Sequence, residues 1–147
     1  MSLKQNIFKV HKADDSIRFT FSSTMINIDD VVEQTSLYLQ QKSNSIATDL
    51  FSVNLVLREA LTNAVRHGNQ GDSRQNVRFV LTIVNNEYME LVIEDEGEGF
   101  DWKELKTQSL GEDEDHGRGL IIMKTYFNKV SYNDRGNILY LGKKIGL

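Results

Sequence analysis

The 147-residue sequence has no cysteine, no proline and a single tryptophan. Without cysteine there is no disulfide framework, no thiolate nucleophile and no cysteine-based zinc site. Without proline, neither cis-prolyl turns nor proline-rich linkers are available. No stretch approaches the roughly 18 apolar residues of a membrane span, and the first residues hold no apolar core of signal-peptide length. A cytoplasmic location is therefore the default expectation, with no membrane as partner. Cationic excess is missing as well: 17 Lys and Arg against 21 Asp and Glu leave a formal net charge of −4. That balance gives no electrostatic reason to expect nucleic acid, and any nucleotide must be held by local groups. The histidines His11, His67 and His116 lack a metal-ligand spacing, and no G-x-x-x-x-G-K-[ST] phosphate loop occurs. What remains is ordinary for a globular domain, 39% hydrophobic and 26% charged. The length suits one domain over residues 1–147.

The most informative stretch is Arg58-Glu59-Ala60-Leu61-Thr62-Asn63-Ala64-Val65-Arg66-His67-Gly68. Leu50, Val53, Leu57, Leu61 and Ala64 recur at spacings of three and four and share one face of a helix. Glu59, Asn63 and His67 recur at spacings of four on a different face. A Glu and an Asn four apart are commonly two surface residues, so the weight falls on what lies downstream.

Along the chain, 7–10 and 16–22 are β-prone and form either a hairpin or one strand with a loose lead-in. A first helix is expected over 28–41 and a second over 48–66, with Thr48 as N-cap and Gly68 to Asp72 as the stop. Residues 77–84 and 88–94 alternate and flank Asn85-Asn86-Glu87, an antiparallel hairpin. After Asp95-Glu96-Gly97-Glu98-Gly99-Phe100 comes a long polar, acidic connection to His116, with a short helix near 102–105. Such connections are commonly functional. Gly117-Arg118-Gly119 opens a third helix, 120–127, and two strands close the order, 129–133 and 137–145. The predicted class is α+β, a two-layer sandwich with helices on one face of a mixed, mostly antiparallel sheet.

Three pieces thus stand in order: Glu59-Ala60-Leu61-Thr62-Asn63-Ala64-Val65-Arg66-His67-Gly68, then Asp95-x-Gly97-x-Gly99, then Gly117-Arg118-Gly119-Leu120. In this order the chain resembles the GHKL ATPase superfamily with its Bergerat nucleotide-binding fold, and within it the anti-sigma factor serine/threonine kinases. The three pieces match that family's N, G1 and G2 boxes, and the resemblance spans roughly 16–145. It implies ATP and Mg as cofactors. Asn63 would supply a metal ligand, consistent with the oxygen preference of Mg. Glu59 would be the general base in phosphoryl transfer. Asp95 would accept the adenine amine, with Gly97 and Gly99 allowing close approach of the backbone. Backbone N–H groups of Gly117, Arg118 and Gly119 would form an anion site at the start of a helix, with Leu120 beside them. Residues 100–116 would be the ATP lid. Arg66 and His67 stand where relatives line the nucleotide, although His67 reads almost as well as a capping or core histidine. Arg118 reads equally as a phosphate or partner contact and as a surface arginine. Many relatives carry a threonine early in the last strand, where this chain has Gly136-Asn137-Ile138-Leu139.

By resemblance, the chain is an ATP-dependent kinase that phosphorylates a STAS-type anti-anti-sigma protein. It would also sequester a sigma factor or other output protein, as a homodimer. The alternatives are an ATP-dependent partner-binding module without useful transfer, and the catalytic domain of a split histidine kinase. The first alternative has no need of Glu59.

Overall fold

The computed structural model describes residues 5–42, 44–99 and 114–146. The expected helix near 102–105 and most of the expected lid fall outside the described residues. Strands β1 (Phe8–Lys12) and β2 (Ser16–Ser22) pair antiparallel, Phe8 opposite Phe21 and Lys12 opposite Ile17, which makes the first two β-prone runs a hairpin. Helix α1 (Met25–Gln40) follows, its N-cap Thr24 accepting the Asn27 amide at 3.1 Å. A four-residue turn, α2 (Asn44–Ala47), leads into α3 (Leu50–Asn63), which continues as a π-helical turn over Ala64–Gly68. Strands β3 (Asn76–Val84) and β4 (Tyr88–Glu94) form the expected hairpin. Asn85 and Asn86 take φ of 54° and 56° in its turn, the conformation a tight hairpin demands and asparagine tolerates. Helix α4 (Glu114–Tyr126), β5 (Lys129–Tyr132) and β6 (Ile138–Lys144) complete the order.

The sheet runs β1-β2-β3-β4-β6-β5, and every adjacent pair is antiparallel. Alternation sorts its faces. Ile17, Phe19 and Phe21 of β2, Val77, Phe79 and Leu81 of β3, and Met89, Leu91 and Ile93 of β4 are buried on one side. They join Ile28, Val31 and Leu39 of α1 and Val53, Leu57 and Leu61 of α3 in one core. Arg18, Arg78 and Glu90 lie exposed on the other side. Phe19 and Phe79 stack with centroids 5.8 Å apart, and a fully buried phenylalanine contributes roughly 2–3 kcal/mol. The chain is therefore α+β, with its helices layered on one face of an antiparallel sheet.

Two expectations are corrected. Thr48 is not the N-cap of α3; Asp49 is, while the Thr48 hydroxyl donates to the Ser45 carbonyl at 2.7 Å. Asp49 makes no side-chain capping bond because its carboxylate is engaged elsewhere. It accepts the Gly146 amide at 2.8 Å and lies 3.5 Å from the Lys143 ammonium. Both side chains are almost fully buried, at 7% and 6% exposure, so the pair ties the start of α3 to the end of β6. The second correction concerns α4, which starts at Glu114, so Gly117-Arg118-Gly119 lie within the helix and not ahead of it. Removing one member of a buried ion pair strands the other charge. Lys143→Met is expected to cost about 3 kcal/mol in urea unfolding, and Asp49→Leu/Lys143→Met less than the sum of the single changes.

Candidate nucleotide site

The end of α3, the end of β4 and the turn between β5 and β6 enclose a cleft of about 420 Å³, counting its open mouth. Asn63, His67, Asp95, Gly99, Tyr132 and Asn137 are among its lining residues, with Ala60, Ile93 and Leu139 supplying apolar wall. One charged group set in a mostly apolar wall is the make-up of a small-molecule pocket.

The π-helical turn shapes one side. The Asn69 amide bonds the Ala64 carbonyl at 2.8 Å, five residues back, and Gly71 bonds Val65 at 2.7 Å. This widened turn carries His67 and Gly68 into the cleft wall, a use to which π turns are often put. A methyl group on Gly68 would run into the Asp95 carboxyl, and one on Gly97 into the Gly68 carbonyl oxygen. The two glycines thus let the helix end and the loop after β4 touch backbone to backbone.

Asp95 continues the ladder beyond β4, its amide donating to the Asn137 carbonyl at 3.0 Å. The residue is 9% exposed, and its carboxylate accepts the Gly97 amide at 2.8 Å. Loss of water is the main influence on its acidity. The Gly97 amide opposes that effect, Glu94 adds to it and Arg135 opposes it, and the carboxyl is pushed up to about 6. Tyr132 is held well above the usual phenol range by burial first and the Asp95 charge second. It remains a neutral phenol at physiological pH.

Glu59 and Asn63 sit half-buried one turn apart on α3, at the seam with α4. Gly119 of α4 faces both: a methyl group there would lie 3.0 Å from Asn63 Nδ2 and 3.6 Å from Glu59 Oε2. Arg58, the neighbour that could have paired with Glu59, turns away to Asp29 at 2.7 Å. The structure therefore brings Glu59, Asn63 and Gly119 together, and places Asn63 also on the wall shared with His67 and Asp95. Arg66 and Arg118 are exposed, and Leu120 is buried. Among the described residues no cluster of three His, Cys, Asp or Glu could hold a metal ion. The donor set fits Mg only in the manner that ion favours with nucleotides, one protein oxygen from Asn63 and the rest from phosphates and water.

Sequence reasoning missed Asn69, which is 1% exposed and fastens three segments. Its amide donates to Ser23 Oγ at 2.7 Å and the Asn76 carbonyl at 3.0 Å, and its oxygen accepts the Glu96 amide at 2.8 Å. Only its position directly after His67-Gly68 could have drawn notice. Tyr132, Asn133, Arg135 and Asn137 were also missed as site residues. Asn133 Oδ1 accepts the amides of Gly136, Asn137 and Ile138 at 2.9, 3.0 and 3.0 Å. This fixes the turn where relatives were expected to carry threonine.

The family model for the histidine kinase-like ATPase domain matches residues 21–143. Among curated proteins, an "Anti-sigma F factor" of Priestia megaterium is 31% identical over 104 residues, 66% of this chain and 71% of its own length. An "Anti-sigma F factor" of Geobacillus sp. (strain WCH70) is likewise 31% identical over 104 residues, 66% of this chain and 70% of its own.

A carboxyl raised in the folded state stabilises the fold fully below its ordinary value and loses that contribution as pH climbs through the raised value. Neutral pH therefore finds Asp95 ionised at a cost. Asp95→Asn, which keeps an acceptor for the Gly97 amide, is expected to be more stable than the parent at pH 7 by about 1–2 kcal/mol. The advantage should vanish below about pH 4 in denaturant titrations, where the parent carboxyl is protonated in both states.

Proposed function

The chain belongs to the histidine kinase-like ATPase domain family, and from that premise we propose an ATP-dependent serine/threonine protein kinase of the anti-sigma type. It phosphorylates a STAS-type antagonist protein and holds a sigma factor or other output protein, the phosphorylation deciding which partner is retained. The observation that carries this reading is the convergence of Glu59, Asn63 and Gly119 at the α3–α4 seam, beside a cleft lined by Asp95. The names of the two anti-sigma F factor relatives support the partner class.

On this reading, Asp95 accepts the exocyclic amine of adenine, and the ionised carboxylate that costs stability in the free protein becomes the preferred acceptor once the base is bound. Ala60, Ile93 and Leu139 flank the base and exclude water. Asn63 holds the metal ion, which when bound screens the charge of the phosphates. Glu59 takes the proton from the serine or threonine hydroxyl of the antagonist as that oxygen bonds to the γ-phosphorus. The bond from γ-phosphorus to the bridging oxygen breaks, and ADP leaves. Gly119 keeps α4 close enough for both α3 side chains to face one reacting group. The working unit is a homodimer, and β1 provides an open sheet edge for the assembly.

Phosphotransfer from labelled ATP·Mg onto STAS-type proteins, measured beside ATP titration, tests the reading. Glu59→Gln should abolish transfer by a factor of about 100 or more while ATP still binds, and Asp95→Asn should weaken ATP binding itself. ATP binding with no transfer to any STAS-type protein would leave a nucleotide-dependent binding module. Absence of ATP binding by the parent protein would overturn the reading.

A further inference from the structure

The turn joining β5 to β6 reaches across the mouth of the cleft to the glycine loop that follows β4. Asn133 makes that turn stiff: besides its three amide bonds, its Nδ2 donates to Asn137 Oδ1 at 2.8 Å. Asn137 fastens the turn to the end of β4, its Nδ2 donating to the Asp95 carbonyl at 3.3 Å. From this anchored base the Arg135 guanidinium extends over the loop. Its Nη2 donates to the Gly97 carbonyl at 3.2 Å and its Nε to the Glu98 carbonyl at 3.3 Å. Gly99 closes the contact from the other side. It takes a φ of +88°, and a methyl group there would overlap the Arg135 carbonyl oxygen.

The consequence for the site lies in peptide geometry. A peptide plane held by its carbonyl has a fixed amide direction. The Gly97 and Glu98 carbonyls, drawn to Arg135, fix the two peptide planes that follow Gly97, and the plane just before them presents the Gly97 amide to Asp95 Oδ1. We infer that Arg135 is a positioning residue for nucleotide recognition, holding the Gly97–Gly99 backbone in the shape that aims Asp95 at the base. The inference rests on the adenine-nucleotide reading of the cleft and adds a residue to it from outside the sequence boxes.

Two physical effects separate this role from mere support of the fold. The two-pronged donor geometry belongs to a guanidinium and not to an ammonium. The positive charge also favours the ionised form of Asp95 against the burial and the Glu94 charge that oppose it. Among the described residues, the charged and titratable groups that face Asp95 are Glu94 on its own strand, Arg135 in the turn, Tyr132 on β5 and His67 on the π-helical turn.

The test is calorimetric titration of a non-hydrolysable ATP analogue into the parent protein, Arg135→Met and Arg135→Lys. It runs from about pH 5 to about pH 8, which brackets Asp95, with circular dichroism confirming the fold. In the parent, affinity should fall as pH drops through about 6. Arg135→Met should weaken binding at pH 7 by roughly tenfold, the worth of two modest hydrogen bonds, and move the onset of acid loss to higher pH. Arg135→Lys should keep the parental onset and still lose most of the affinity, which a purely structural role would not produce. If Arg135→Met fails to fold, the lysine variant carries the decision, and parental affinity in it overturns the inference. A folded Arg135→Met with the parental affinity and pH profile overturns the role of Arg135 and leaves the nucleotide reading standing. Failure of the parent protein to bind the analogue overturns both.

Discussion

The end of a helix and the end of a strand meet here across two glycines. Gly68 leaves room for the Asp95 carboxyl, and Gly97 leaves room for the Gly68 carbonyl. The rest of the site follows from that approach. The helix has to widen by a π turn to bring Gly68 into position, and Asn69, next in sequence, is delivered into the core with three hydrogen-bonding neighbours. The same closeness strips water from Asp95 and sets it opposite the face of α3 that carries Asn63. A single Cβ at either glycine would force the two elements apart and open the wall of the cleft.

Among the described residues two aspartates are buried, and they are treated differently. Asp49 is given a buried ammonium 3.5 Å away and a backbone amide, so its charge is matched inside the fold. Asp95 receives one amide from Gly97 and a guanidinium that bonds the loop and not the carboxylate. A carboxylate left short of donors in a desolvated cleft is the arrangement that marks binding sites, because a ligand can supply what the protein withholds. The matched pair holds the sheet to the helices, and the unmatched carboxylate is the one that the proposed nucleotide reading uses.

Local pattern made much of this readable. The β3–β4 hairpin follows from alternation and the Asn85-Asn86 turn, and the buried stripe of α3 follows from spacings of three and four. Glu59, Asn63 and Asp95 could be picked out as candidates because their boxes are short and contiguous. Features that join distant segments were not. Nothing near Asp49 announces Lys143, and Thr48 was expected as the cap although Asp49 takes that position, its carboxylate engaged by Gly146 and Lys143 far along the chain. The π turn was invisible for the same reason, since it is imposed by packing against Gly97 and not by the propensities of Ala64 to Gly68. Arg135 and Asn133 act through backbone groups, and backbone partners leave no residue-type signature. At the start of α4, glycines were read as a helix boundary, whereas Gly119 is there to let α4 pack closely on Asn63 and Glu59.

The place of β6 in the sheet has a bearing on how the molecule is made. β6 lies between β4 and β5, so the central β4 waits for a neighbour about 50 residues later in the chain, with α4 crossing in between. Asn137 and Leu139, on which the cleft depends, arrive with that strand. On the ribosome, the first four strands and α3 can assemble while β4 still has an unpaired edge, and Glu59 and Asn63 are present long before there is a closed pocket beside them. Such an open edge is a point of association for nascent chains. Nucleotide binding cannot rescue the chain during that interval, because its ligand-binding form exists only after β6 has inserted.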